Sequence, residues 1–438
     1  MTTTTAARPG RPTQLGRVEF TTLLAMAIAL TALGIDLMLP LFPAMRSDLG
    51  LPEGSTAVGG LVTTYFLGLA IGQLLYGPLA DRFGRKPALY LGFGIYGVGA
   101  LAAALSPTLS WLLVARFVWG FGAAGPRVIT LAIVRDTFDG ERMSRAMSSI
   151  MAVFILVPVV APSLGALVGG LIGWRWLFGF CLLASIAVTL WSRRLPETLA
   201  PEHRLELRFG RIARAARFVT GNRTTVGYAL ALTVLYGSFI SWLGSAELVF
   251  SEVFDRAELF PVLFGGLAAV MGIAVFTNGR IVERIGLRRL GHGVLVAYLL
   301  AASLLVVLVV GTGGRPPMWA FLLAMAPVLC SHALLIPNFN TIAMEPMKAV
   351  AGTASAFIGA VQIAGGALLG ALLDRTFDGT VLPLSLGFLG MAVVAAGLIV
   401  WAERGRLFRP MTPPVNEPPL VSSSAARSQV ARSGVAAP

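Results

Sequence analysis

The sequence predicts an all-α integral membrane protein, with twelve transmembrane helices in two pseudo-symmetric six-helix bundles. Three observations predict it. The 438-residue chain is 56% hydrophobic and only 13% charged, with a mean hydropathy of +0.79. That is more apolar surface than a soluble domain hides. Its apolar residues fall into twelve runs, most near the ~20 residues that cross a hydrocarbon core of about 30 Å at helical rise. Finally, Asp81-Arg-Phe-Gly84-Arg-Lys86 is echoed by Glu283-Arg-Ile-Gly286-Leu-Arg288, 202 positions later and close to half the chain. A twofold repeat of six spans follows.

Taken in order, the polar, Thr/Arg/Pro-rich segment 1–19 precedes a first apolar run with no small-residue cleavage site, so the first helix is expected to be retained. The spans are expected at 20–44, 56–79, 88–105, 111–134, 146–169 and 175–192, then at 226–250, 261–281, 291–311, 317–344, 351–373 and 382–402. These give an N-terminal bundle over 20–192, a linker over 193–225, a C-terminal bundle over 226–402 and a tail over 403–438. The tail is rich in Pro, Ser, Ala and Arg and is expected to be disordered. Within the linker, Leu205, Phe209, Ile212, Ala216 and Val219 recur at helical steps, with arginines on other faces. That pattern fits a helix lying on the membrane surface, or a plain basic connector with some helicity. Glycine is abundant, at 50 residues, and pairs such as Gly68/Gly72, Gly165/Gly169 and Gly366/Gly370 have the spacing of close helix contacts. Cys181 and Cys330 both fall inside spans, so no disulfide framework, metal site or cofactor is expected.

The net charge of +13 raises nucleic acid as a partner, but its distribution argues for lipid instead. Only Arg46, Arg175, Arg256, Arg315 and Arg375 fall in alternate loops, and Arg116 and Arg127 fall within a span. The other cations lie on one side, which puts both termini in the cytoplasm.

Ionisable groups inside a membrane are candidates for function, because each costs on the order of 3 kcal/mol to place there. Asp36 is the strong acid of the first span, within Gly34-Ile-Asp-Leu-Met-Leu-Pro40. Burial and a neighbouring arginine act on such a carboxyl in opposite senses, and that competition can bring titration near physiological pH. Asp36 is therefore expected to carry a coupling proton, with Arg116 in the fourth span as its modulator or as a substrate contact. The alternative is a fixed Asp–Arg pair that serves packing alone. Arg127, His332 in the tenth span and Glu247 in the seventh are weaker candidates for a substrate cavity, to which Tyr65, Trp119 and Trp242 would add apolar contact. Each of these is also readable as packing, or for Glu247 as the wet end of a span.

The run Gly77-Pro-Leu-Ala-Asp81-Arg82-Phe-Gly84-Arg85-Lys86-Pro87 resembles the signature loop between helices two and three of the major facilitator superfamily. Arg116-Phe-Val-Trp-Gly-Phe-Gly-Ala-Ala-Gly125 resembles the fourth-helix motif. Val157-Pro158-Val-Val-Ala-Pro162-Ser-Leu-Gly165 resembles the fifth-helix motif of exporters that exchange drug for proton, with Ala161 where that motif has Gly. Asp36-Leu-Met-Leu-Pro40, Gly72-Gln-Leu-Leu-Tyr-Gly-Pro78, Trp174-Arg-Trp176, Leu195-Pro-Glu-Thr198 and Gly352-Thr-Ala-Ser355 are similar to the Bcr/CflA-type drug:proton antiporters. The resemblance covers about residues 20–402. It implies proton-coupled efflux of small amphipathic compounds across the inner membrane, chloramphenicol- or bicyclomycin-like, through a cavity lined by spans 1, 4, 7 and 10. It also implies that the loop 77–87 meets the start of span eleven near Gly352, so that Asp81 latches the cytoplasmic side, with Arg85 holding its orientation. The alternative function is a transporter of a specific metabolite or organic anion. A membrane enzyme is not expected, since no HExxH, GxSxG or nucleotide loop occurs.

Overall fold

The computed structural model describes residues 15–204 and 216–409. The expectations for segment 1–14, for the linker at 205–215 and for the tail from 410 onward lie outside the described residues. Among the described residues twelve helices are long and apolar enough to cross a membrane. In chain order they are α1 (Arg17–Asp36), α2 (Gly60–Phe83), α3 (Arg85–Ala104), α4 (Leu109–Thr137), α5 (Gly140–Ile172) and α6 (Trp174–Ser192). The second half holds α7 (Arg223–Leu248), α8 (Phe260–Ile285), α9 (Leu287–Gly311), α10 (Met318–Met344), α11 (Ala351–Asp374) and α12 (Leu382–Ala402). The first span is broken after Asp36: a turn, a short 3-10 segment carrying Pro40 and the helix Phe42–Asp48 complete it.

The internal repeat is visible in the backbone. Gly84 joins α2 to α3 with φ 107°, and Gly286 joins α8 to α9 with φ 88°. Both sit in the left-handed region that glycine enters without penalty. Even-numbered crossings put the described ends of the chain at one rim, termed here the basic rim. The opposite rim is the far rim.

Within the first half, α2 packs on α4 backbone to backbone. A Cβ on Gly68 would lie 2.0 Å from Phe117 O, and one on Gly120 would lie 1.9 Å from Tyr65 O. Small residues permit that approach, which lipid-exposed helices need because apolar burial cannot drive their association. Between the halves, α2 faces α11 and α5 faces α8. Gly265 of α8 sits against Val159 O, where an added Cβ would come within 2.5 Å.

Candidate transport site

A cavity of about 620 Å³ lies between the halves on the basic-rim side. That volume is within the roughly 300–1,000 Å³ of small-molecule sites. Gln73, Arg127, Tyr236 and Gln362 line its inner part, while Asp81, Asp136 and Gly352 line its mouth. Gln73 is its crossing point: Nε2 donates to Ala356 O at 3.5 Å and rests where a Cβ on Gly359 would stand.

The far rim is shut. Arg46, in the helix after the break, donates from Nη2 to both carboxylate oxygens of Glu247 on α7, at 2.9 and 2.7 Å. Both residues are buried, at 5% and 2% exposure. Beside them the Oγ of Ser241 donates to Asp374 at 2.6 Å. The second oxygen of that carboxylate lies where a Cβ on Gly244 would come within 2.5 Å. Gly59 and Gly244 bring the two halves into backbone contact there; a Cβ on Gly59 would lie 3.1 Å from Gly244 O.

Asp36 ends α1 at the break and is 4% exposed. Arg116 is fully buried and does not pair with it. Arg116 Nη1 donates instead to Gly34 O at 2.7 Å, and Nε to Leu61 O at 3.3 Å. Its guanidinium also lies over the rings of Tyr65 and Trp119, 4.4 and 4.9 Å from their centroids. The cause is the break itself. The last carbonyls of a helix lose their intrahelical donors, and a cation there also complements the helix dipole. Tyr65 donates to Thr31 O and Tyr96 to Leu30 O, at 2.9 and 3.0 Å, so the last turns of α1 are pinned from three directions. On the remaining side Gly165 of α5 admits Leu37 O, where a Cβ would come within 1.9 Å. The fifth-helix motif thus touches the break next to Asp36. Pro158 and Pro162 lie inside α5, where each removes a backbone donor.

Of the residues expected to line the cavity, Arg127 does so. The others lie elsewhere in this conformation. Tyr65 and Trp119 are fully buried around Arg116. Trp242 stacks on Phe264 at 6.1 Å. His332 stacks on Phe239 at 4.9 Å, beside Tyr236 and Tyr298. Glu247 is not a wet span end but a buried partner of Arg46.

At the basic rim the signature loop is tied to its own half. Arg85 bridges Asp81 at 2.5 Å and Asp136 at 2.7 Å. Glu197 accepts from the first backbone N–H groups of α3, Arg85 N at 2.9 Å and Lys86 N at 3.0 Å, which satisfies orphan donors at a helix start. Lys86 Nζ donates to Arg193 O and Leu195 O, and Thr198 donates to Asp136. That is the structural use of Leu195-Pro-Glu-Thr198. Arg82 is exposed. Gly352 meets open space, with no neighbour within 4 Å of an added Cβ. The second half repeats the device: Arg288 pairs with Glu345 at 3.1 Å and with Glu403 at 3.4 Å.

Sequence reasoning missed Asp374 and Arg46. Asp374 falls one residue beyond the expected span 351–373, and Arg46 falls in an expected loop. The available signal was Gly59 and Gly244, small residues that let a seam close over them.

Twelve spans in two halves around a cavity between them, open at one rim and sealed at the other, define a transporter of small molecules. The chain belongs to the Major Facilitator Superfamily, whose model matches residues 24–369, and it is therefore a multi-pass membrane transporter, not an enzyme. It is 30% identical over 371 residues to a "bicyclomycin resistance protein homolog" of Haemophilus influenzae, covering 83% of this chain and 91% of the relative. It is 31% identical over 381 residues to a "chloramphenicol resistance protein" of Pseudomonas aeruginosa, covering 84% and 87%. It is 27% identical over 395 residues to "multidrug resistance protein D" of Escherichia coli, covering 87% and 95%. Among solved structures, a D-xylose–proton symporter superposes with a TM-score of 0.68 at 14% identity, covering 89% of this chain and 99% of that one. That similarity speaks to the fold alone.

Proposed function

We propose that the chain exports small amphipathic compounds in exchange for protons by alternating access, from the cytoplasm across the inner membrane. The observation that carries this reading is a cavity that reaches the basic rim while the far rim is shut by contacts between the halves. Charge asymmetry puts the basic rim in the cytoplasm, so this conformation faces inward. The drug-resistance names of the relatives support export of antibiotics such as chloramphenicol or bicyclomycin. Asp36 is the proposed proton carrier. It sits where α1 is broken, pinned by Arg116 through Gly34 O and touched by α5, so its environment changes if the break moves. Arg116 acts on it through the backbone, as a positioning residue.

The test is a drug-susceptibility panel in an efflux-deficient host, together with everted vesicles under an imposed pH gradient. Asp36→Asn is expected to abolish gradient-driven transport while remaining in the membrane. Full gradient-dependent export by that variant overturns the proton assignment, and no uptake of any drug into vesicles by the intact protein overturns the export reading.

A further inference from the structure

Among the described residues the cavity is electrically one-sided. Among those residues all five charged side chains that line it, Asp81, Arg85, Asp136, Arg127 and Arg135, come from the first half. The facing wall from α7, α10 and α11 offers uncharged groups, among them Tyr236, Asn340 and Gln362. Both carboxylates are already committed, since Asp81 and Asp136 share Arg85. Arg135 stands exposed at the mouth and donates to Leu131 O on its own helix. Arg127 lies eight residues deeper on α4, about 12 Å along the axis at 1.5 Å per residue. It is half-buried and has no ion-pair or hydrogen-bond partner among the described residues. The other arginine within a span, Arg116, is committed to backbone carbonyls and aromatic faces. Among the described residues the inner cavity therefore holds one uncommitted guanidinium and no uncommitted carboxylate.

We infer that Arg127 selects the charge class of the substrate, drawing weakly acidic amphipathic compounds into the cavity and disfavouring permanent organic cations. The inference rests on the export reading above. A guanidinium on a cavity wall with low-dielectric surroundings focuses positive potential into it. It offers a planar fork that fits a carboxylate, a phenolate or an acidic sulfonamide nitrogen. Asn340 and Gln362 supply amide donors and acceptors for the carbonyl or amide groups of the same compound. A cation entering the same space meets a like charge with nothing to offset it, which is discrimination by repulsion as well as by attraction.

The experiment uses two xanthene dyes of similar frame and opposite charge, anionic carboxyfluorescein and cationic rhodamine 6G, with neutral chloramphenicol as a third probe. Binding to the purified full chain is measured by equilibrium dialysis, and uptake is measured in everted vesicles. The intact protein is expected to bind the anion more tightly than the cation. Arg127→Gln is expected to cut the anion-to-cation affinity ratio by about tenfold or more, a loss of roughly 1.4 kcal/mol. Arg127→Lys is expected to keep much of the ratio, since the charge remains, and Arg127→Glu to invert it. A ratio unchanged in Arg127→Gln and Arg127→Glu overturns the inference, as does an intact protein that prefers the cation or fails to bind the anion. If no probe is transported but the binding ratio shifts as stated, the export reading fails and the assignment of Arg127 stands.

Discussion

The two rims are built on opposite plans. At the far rim the buried ion pair runs between the halves, from Arg46 to Glu247, 201 residues apart in sequence. At the basic rim the ion pairs among the described residues stay within a half: Arg85 with Asp81 and Asp136, and Arg288 with Glu345 and Glu403. A pair that crosses the seam exists only while its rim is closed, whereas a pair within a half survives both states. The lesson is that charge here does two jobs. At the far rim a buried pair joins the halves, and at the basic rim the described pairs brace one half each.

The largest effect should come from breaking the crossing pair. Glu247→Gln leaves Arg46 charged and uncompensated whenever the far rim closes, a penalty of roughly 3–5 kcal/mol. The far rim should then open, widening the distance between spin labels at Glu53 and Arg256. Adding Arg46→Gln removes the stranded charge and should restore much of the closed population. An unchanged distance distribution in the single variant would mean that the pair does not hold the seam.

Asp81→Asn should act less strongly and in the other direction. In this conformation Asp81 is half-exposed and paired within its own half, so the folded stability should hardly change. When the basic rim closes, its carboxylate is proposed to meet the start of α11 near Gly352, a helix N-terminus worth about 0.3–1 kcal/mol. Turnover should slow and the population open at the basic rim should rise up to about fivefold. Cysteine pairs at the basic-rim ends of α2 and α11 report that closure, and equal crosslinking with Asp and Asn at 81 would sink the latch.

The smallest effect is a contrast of two glycines. Gly59→Ala places a methyl about 3.1 Å from Gly244 O, a tight fit that should loosen the far rim slightly. Gly352→Ala meets nothing within 4 Å and should leave this conformation untouched while slowing closure of the basic rim. Labels at both rims can separate the two, and identical behaviour would erase the distinction between them.

The spans were legible because their signal is local: twenty apolar residues and a charged turn are read without knowing what lies opposite. The signature loop was legible for the same reason, and its repeat reappears in the matching backbone angles at Gly84 and Gly286. The partners of the in-membrane charges were not. Arg116 invited pairing with Asp36, but the break in α1 freed carbonyls that competed for it, and sequence does not announce which carbonyls a break will free. Glu247 and Arg46 meet only through the docking of two bundles. Trp119 and Tyr65 carry the same apolar character whether they face a cavity or pack around a guanidinium.

Helix α5 has a mechanical consequence. Gly165 fits against Leu37 O beside Asp36, and Val159 fits against Gly265 of the opposite half. These two points lie six residues apart, about 9 Å along the helix, with Pro162 between them and Pro158 just before. The two contacts thus sit on one short, proline-bearing stretch of the same helix. A shift of the α1 break bears on the same short stretch of α5 that meets the opposite half. The proton handling proposed for Asp36 and the sliding of the two halves would thereby share one moving part.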